Sequence, residues 1–259
     1  MTIDILRSEW TKLRSLRSTT WTLLAAIASG IAMAALAASV FVDQYDQLDA
    51  VDRLQVGADP VGFVLRAAAG ASGIAVCVLG IMMIAGEHAT GMISATLLTV
   101  PRRTPVLAAK AVVFGVVAFL SGVLTALVGA GAGAAILSHR LHLALDGGGL
   151  IRSVLGFGLY LGLIGLAALA VGALIRHVAG AIAIVLASLL ALPAILTALP
   201  GSAAAHITGY LPTEAGMGVF SGPGWIPSAL SPGGGIAALC AETAALLLAA
   251  TLLLNHRDV

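Results

Sequence analysis

The chain has 259 residues, of which 59% are hydrophobic and only 10% charged, with a formal net charge of +1 and a mean hydropathy of +1.06. Soluble domains carry about 25% charged residues, so this composition excludes a water-soluble globule and describes an all-α integral membrane protein. Near-neutral charge offers nothing to nucleic acid, and Cys77 and Cys240, both inside apolar stretches, read as small hydrophobes rather than as a disulfide or metal ligands.

Residues 1–20 are polar, with Arg7, Lys12, Arg14 and Arg17 set against Asp4 and Glu9. Ile3, Ile5, Leu6, Trp10, Leu13 and Leu16 recur at helical spacing. That pattern predicts an amphipathic helix lying in the membrane interface with a tryptophan at headgroup depth. A secretory signal peptide is the alternative, with small residues around Ala34 and Ala38 for cleavage. The polar lead is too long, and the apolar run that follows exceeds a usual signal core.

A membrane span needs about 20 apolar residues, and six stretches qualify: about 21–41, 61–86, 106–137, 151–175, 179–199 and 233–254. The third is long, about 48 Å as a helix, and must tilt, bend or project beyond the bilayer. In the fifth, Pro193 is expected to bend the helix near one end. Between spans one and two lie Asp43, Asp46, Asp49, Asp52 and Asp59 against Arg53 alone. Arg176 and His177 form a very tight turn between spans four and five. Residues 200–232 are rich in Pro and Gly yet still apolar. They are too broken to span and too greasy to float free, which predicts a re-entrant segment of short helices packed against the bundle.

Six spans put both termini on one side. Arg7, Lys12, Arg14, Arg17, Arg102, Arg103, Lys110, Arg176 and Arg257 fall with the termini, whereas Arg53, Arg66, Arg140 and Arg152 fall opposite. The positive-inside rule then makes the termini cytoplasmic. It also makes residues 87–105, between spans two and three, a cytoplasmic segment and residues 200–232 an outer one. Within 87–105, Ile93, Leu97 and Leu98 cluster at helical spacing. Pro101 stops that short helix, and Arg102 and Arg103 mark the membrane surface. A half-apolar helix at a membrane face needs a cover, either lipid headgroups or a soluble partner.

The remaining motifs are mostly structural. A phosphate-binding Walker loop needs a lysine after its second glycine, and the chain's two lysines, Lys12 and Lys110, are not so placed. It therefore has no ATPase motif of its own. Gly129, Gly131 and Gly133 lie in an apolar helix and predict close helix packing, as do Gly158 and Gly162, with a dimer contact as the alternative. Ser72 lacks a histidine at matching depth, which argues against an intramembrane serine nucleophile. His139 and His142 alone are a weak metal pair. Glu242 is different. It lies roughly 14 Å into the last span, where a carboxylate is by default a functional-site candidate. It would serve a polar path, or act as a structural partner for Arg66 or a neighbouring hydroxyl.

With these residues in view, the chain resembles the membrane subunit of ABC-2-type transporters, bacterial permeases of the exporter class. The N-terminal Leu-Arg-Ser-Glu-Trp-Thr-Lys-Leu-Arg-Ser is similar to that family's elbow helix. Glu87, Gly91, Thr96, Leu97, Pro101 and Arg103 follow its pattern between spans two and three. Leu230-Ser231-Pro232-Gly233-Gly234 and Arg257-Asp258 also fit. The resemblance implies a permease in the bacterial cytoplasmic membrane with a cytoplasmic coupling helix. That helix would dock on a separate ATP-binding cassette subunit, which would hold the ATP and magnesium, through Glu87, Gly91, Ile93, Thr96, Leu97, Leu98, Pro101, Arg102 and Arg103. It also implies a second permease copy or a related permease, an outer gate in the re-entrant segment, and outward transport of a hydrophobic or amphiphilic substrate. Two readings stand against it: a proton- or ion-coupled transporter using Glu242, and a non-transporting assembly or sensor subunit.

Overall fold

The computed structural model describes residues 2–15, 17–89, 103–141, 147–198, 207–222 and 230–256. Among them there is no strand. The helices are α1 (Thr2–Ser15), α2 (Arg17–Gln44), α3 (Ala50–Ala58), α4 (Pro60–Ala89), α5 (Arg103–Leu137) and α6 (Gly147–Ile175), then α7 (Val178–Leu186), α8 (Leu192–Ala198), α9 (Pro212–Phe220) and α10 (Pro232–His256). Six helical segments are long and apolar enough to cross a membrane: Arg17–Gln47, Pro60–Glu87, Thr104–Leu137, Gly147–Ile175, Val178–Ala198 and Pro232–Leu253.

The bundle is built around α6, which packs against α4, α5, α7, α9 and α10, while α2 closes the other side against α4 and α5. Burial follows this order: 67% of the most apolar stretch of α6 is enclosed, against 11% for the α7–α8 span and 17% for α10. Glycine explains why α6 can sit at the centre. A Cβ on Gly158 would lie 3.0 Å from the Phe119 carbonyl oxygen of α5, and one on Gly165 would lie 2.8 Å from Val76 of α4. Small residues thus let backbones approach on two faces at once. The glycines predicted to pack helices do so inside the bundle, Gly133 against Val64 and Gly129 against Ala34, although Gly131 faces open space. Phe114, Phe157, Leu161 and Leu169 fill the centre.

Three features differ from the sequence reading or extend it. The Asp-rich link between the first two spans is not a plain loop. It contains α3, which buries Val56 and leaves Val51 and Leu54 exposed. The fifth span does not simply kink at Pro193. A π-helical turn, Ala187–Ala191, precedes the proline, and the Leu192 N–H reaches back to the Ala187 carbonyl. Proline lacks an N–H and crowds the carbonyl four residues earlier, and widening the preceding turn relieves that crowding. Between α6 and α7, Arg176 takes a left-handed φ of 58°, and the His177 ring accepts the Gly180 N–H at 3.2 Å to cap α7.

The described part of the segment between the fifth span and α10, residues 207–222, is stapled to the bundle. Asp59, at the head of α4, accepts the Gly62 N–H at 2.9 Å through one oxygen and the Gly222 N–H through the other. Arg152 of α6 donates to the Ser221 carbonyl at 3.4 Å. Phe220 packs against Phe157 and Tyr160, with ring centroids 5.2 Å and 5.6 Å away. The short helix α9 therefore sits on α6 and α10 with its apolar face covered.

Candidate functional site

The described residues that flank the 90–102 connection converge on one ion network. Glu87 lies near the end of α4 and Lys110 in the second turn of α5, and Lys110 Nζ donates to Glu87 Oε1 at 2.8 Å. The same ammonium donates to Glu9 Oε2 of α1 at 2.7 Å. Lys12, one turn further along α1, donates to Glu9 Oε1 at 2.7 Å and lies 3.7 Å from Glu87. Two carboxylates and two ammoniums thus alternate in space and sum to zero charge.

Burial makes this arrangement consequential. Glu9 is fully enclosed, and Lys110 is 2% exposed. Desolvating such an ion costs several kcal/mol unless opposite charges and hydrogen bonds replace water. Each member here supplies that replacement for another. Burial on its own would raise the Glu9 carboxyl, but the charge and hydrogen bonds of Lys110, with those of Lys12, outweigh it and hold Glu9 below the usual range. Burial on its own would lower Lys12, but Glu9 and Glu87 overcome that and raise it.

Apolar packing fixes α1 in the same place. Leu13 packs on Val113 and Val117 of α5, with Leu6, Leu23 and Met83 around them. Trp10 on α1 and Trp21 on α2 remain 50% and 71% exposed. The length of α5, 35 residues or about 52 Å, lets its first turns extend beside α1. The result is a clamp: α1 contacts both stems of the 90–102 connection, Lys110 of α5 through Glu9 and Glu87 of α4 through Lys12.

Of the residues predicted to dock a partner, Gly91, Ile93, Thr96, Leu97, Leu98, Pro101 and Arg102 lie outside the described residues. Arg103 opens α5. Glu87 points into the network described above. The sequence singles out Glu87 as a docking residue but gives Lys110, Glu9 and Lys12 no place beside it. The missed signal was available: Lys110 stands alone among apolar residues, seven into α5, and an ionisable group so placed calls for a partner.

Arg66 and Glu242 are not brought together. Arg66 is half-buried in α4, within Coulombic reach of Glu214 and Asp59. Glu242 is half-buried on α10, and among the described residues no ion pair or hydrogen bond engages its carboxylate. The next residue, Thr243, donates to the Leu163 carbonyl at 3.3 Å instead. Ser72 Oγ donates to the Ala68 carbonyl at 2.6 Å and packs against Gly30. Cys77 and Cys240 are unlinked, and among the described residues no three His, Cys, Asp or Glu side chains converge as a metal site. Comparison with protein-family models and with curated proteins gave no match.

Proposed function

We propose that this chain is the membrane-spanning permease subunit of an ABC-2-type exporter in a bacterial cytoplasmic membrane. On this reading it moves a hydrophobic or amphiphilic substrate outward, driven by ATP hydrolysed on a separate cassette subunit. Two copies, or this chain and a related permease, enclose the path. The observation that supports the reading best is the ion network. A short connection that a soluble partner pushes must be held rigidly at both stems, or the push is lost in local bending. Glu87 and Lys110 tie the stems to each other, Glu9 ties Lys110 to α1, and Lys12 of α1 lies 3.7 Å from Glu87. Motion of the 90–102 segment then carries α4 and α5 with it, and through them α6.

Leu97→Glu tests the docking. It places a charge on the predicted apolar face of the connection, outside the ion network. We expect ATPase stimulation of a co-purified cassette subunit to fall at least tenfold, on the order of the penalty for an unpaired charge in an apolar contact, with the melting temperature of the permease unchanged. Undiminished stimulation would sink the docking.

One observation favours a second reading, in which Glu242 carries a coupling proton: it is a carboxylate within a span and is engaged by no described residue. Under the exporter reading, Glu242→Gln leaves ATP-driven transport in proteoliposomes intact. Transport that follows an imposed proton gradient without ATP, and vanishes in this variant, would replace the exporter reading with ion coupling.

A further inference from the structure

Beside the ion network, α1, α2 and α4 enclose a crevice of about 480 Å³. Its character changes from one wall to the other. Leu79, Met82 and Met83 of α4 make one wall apolar, Ser18 and Thr19 of α2 put hydroxyls on another, and Lys12 stands at the polar end with Glu9, Glu87 and Lys110.

Counting donors and acceptors shows which charge the crevice accepts. Both oxygens of Glu9 are already taken, one by Lys12 and one by Lys110. Glu87 receives Lys110 at 2.8 Å. Lys12 makes one short bond, to Glu9; its other carboxylate neighbour is 3.7 Å away, beyond hydrogen-bond distance. An ammonium has three donors, and the Lys12 side chain is 33% exposed, so two N–H groups remain for a ligand. Thr19 is only 6% exposed and lines the crevice. Its hydroxyl makes no hydrogen bond among the described residues, whereas its neighbours Ser15 and Thr22 bond carbonyls of their own helices at 3.0 Å and 2.9 Å. The crevice thus offers donors from Lys12 and Thr19, which suit an anion. Methionine walls adapt to irregular alkyl groups. Trp10 and Trp21 on the bordering helices are exposed, and with α1 read as an interfacial helix the crevice falls at headgroup depth, where phosphate and the first methylenes of an amphiphile meet.

We propose that this crevice binds a phosphate-bearing amphiphile, its phosphate on Lys12, Ser18 and Thr19 and its alkyl chain along Leu79, Met82 and Met83. The site stands apart from the exporter reading, because binding requires neither ATP nor a partner.

The test uses the full chain in a neutral detergent, titrated with dioctanoyl phosphatidate and followed by tryptophan fluorescence and calorimetry. Dioctanoylglycerol and inorganic phosphate serve as half-ligands. Wild type is expected to bind phosphatidate saturably and each half-ligand far more weakly. Thr19→Val, which keeps the shape and removes the donor, should weaken phosphatidate about tenfold, the loss of one hydrogen bond to a charged group. Met82→Trp, on the open side of the crevice, should weaken it by filling the tail path, so the proposal does not depend on one variant's folding. Equal affinity in wild type and both variants overturns it. So does binding of dioctanoylglycerol or of inorganic phosphate as tight as that of phosphatidate. Mass spectrometry of the intact protein separates the sources. Phospholipid retained by wild type and lost in Met82→Trp marks a resident membrane lipid, and wild type free of phospholipid that still binds the probe marks a transient ligand. Either result supports the site, and wild type that neither retains phospholipid nor binds the probe refutes it.

Discussion

Replacing Lys110 with methionine is expected to cost about 3–5 kcal/mol of stability, the usual consequence of removing one partner from a buried ion pair. Methionine matches the length and apolar stem of lysine, so packing against α1 and α4 is largely kept and the loss is electrostatic. Glu9 Oε2 loses its donor while fully enclosed, and Glu87 loses the contact that ties α4 to α5. The single variant should melt well below wild type in detergent, and proteolysis should release α1 first. Adding Glu9→Gln to Lys110→Met should recover part of the loss, because the double variant no longer buries an uncompensated carboxylate and neighbours in one network are not additive. A single variant within about 0.5 kcal/mol of wild type, the range of ordinary surface changes, would mean that the network carries no stability.

The same network fixes how stability responds to pH. Glu9 is held below its ordinary value of 4.5 in the folded protein. Its contribution is therefore complete above that value and is lost as pH falls through the lower folded one. Lys12 is raised above its ordinary 10.5, so its contribution is complete below that value and is lost as pH rises through the higher folded one. Between the two limbs these two contributions are constant. In Lys110→Met, the largest influence opposing desolvation at Glu9 is gone. The acid-side loss that Glu9 contributes should then shrink, visible as a smaller drop in melting temperature on acidification below 4.5 than in wild type.

Much of the fold is legible in the sequence because bilayer thickness imposes a length on every apolar run. Five of the long helices, α2, α4, α5, α6 and α10, contain the stretch read as a span, and the fifth span is covered over 179–198 by α7, the π-helical turn and α8. Helix α2 starts at Arg17 rather than at residue 21, and α4 runs to Ala89. Helical hydrogen bonding does not stop where hydrophobicity does, so polar ends such as Arg17–Thr20 continue a helix that burial alone would not call for. Helix α3 escaped because aspartates suggest solvent, while the single buried Val56 that seats it carries too little pattern. The ion network escaped for another reason. Glu9 and Lys110 are 101 residues apart, and in one sequence nothing but the cost of burying each charge says that they meet. Glu87 was legible as important, though only through its place beside the connection.

Substituting alanine for glycine should have opposite effects at two positions of the same helix, α5. At Gly122 a Cβ would lie 2.8 Å from the Gly158 Cα and 3.2 Å from the Phe157 carbonyl oxygen. Both are backbone atoms of α6 and cannot rotate away, so α5 and α6 must separate. Their contact runs through the centre of the bundle, where Phe119 and Val123 also close on Gly158, and overpacking of this kind costs about 1–3 kcal/mol. At Gly131 a Cβ meets nothing within 4 Å. There the substitution adds only helix propensity, about 0.5–1 kcal/mol in favour of alanine. Gly122→Ala should therefore melt below wild type in detergent and Gly131→Ala at or above it. If both variants fall together, glycine serves α5 by flexibility along its length rather than by close approach at one face. If neither moves, α5 and α6 are not held at this separation. The expected split would place the tight contact at the Gly122–Gly158 crossing.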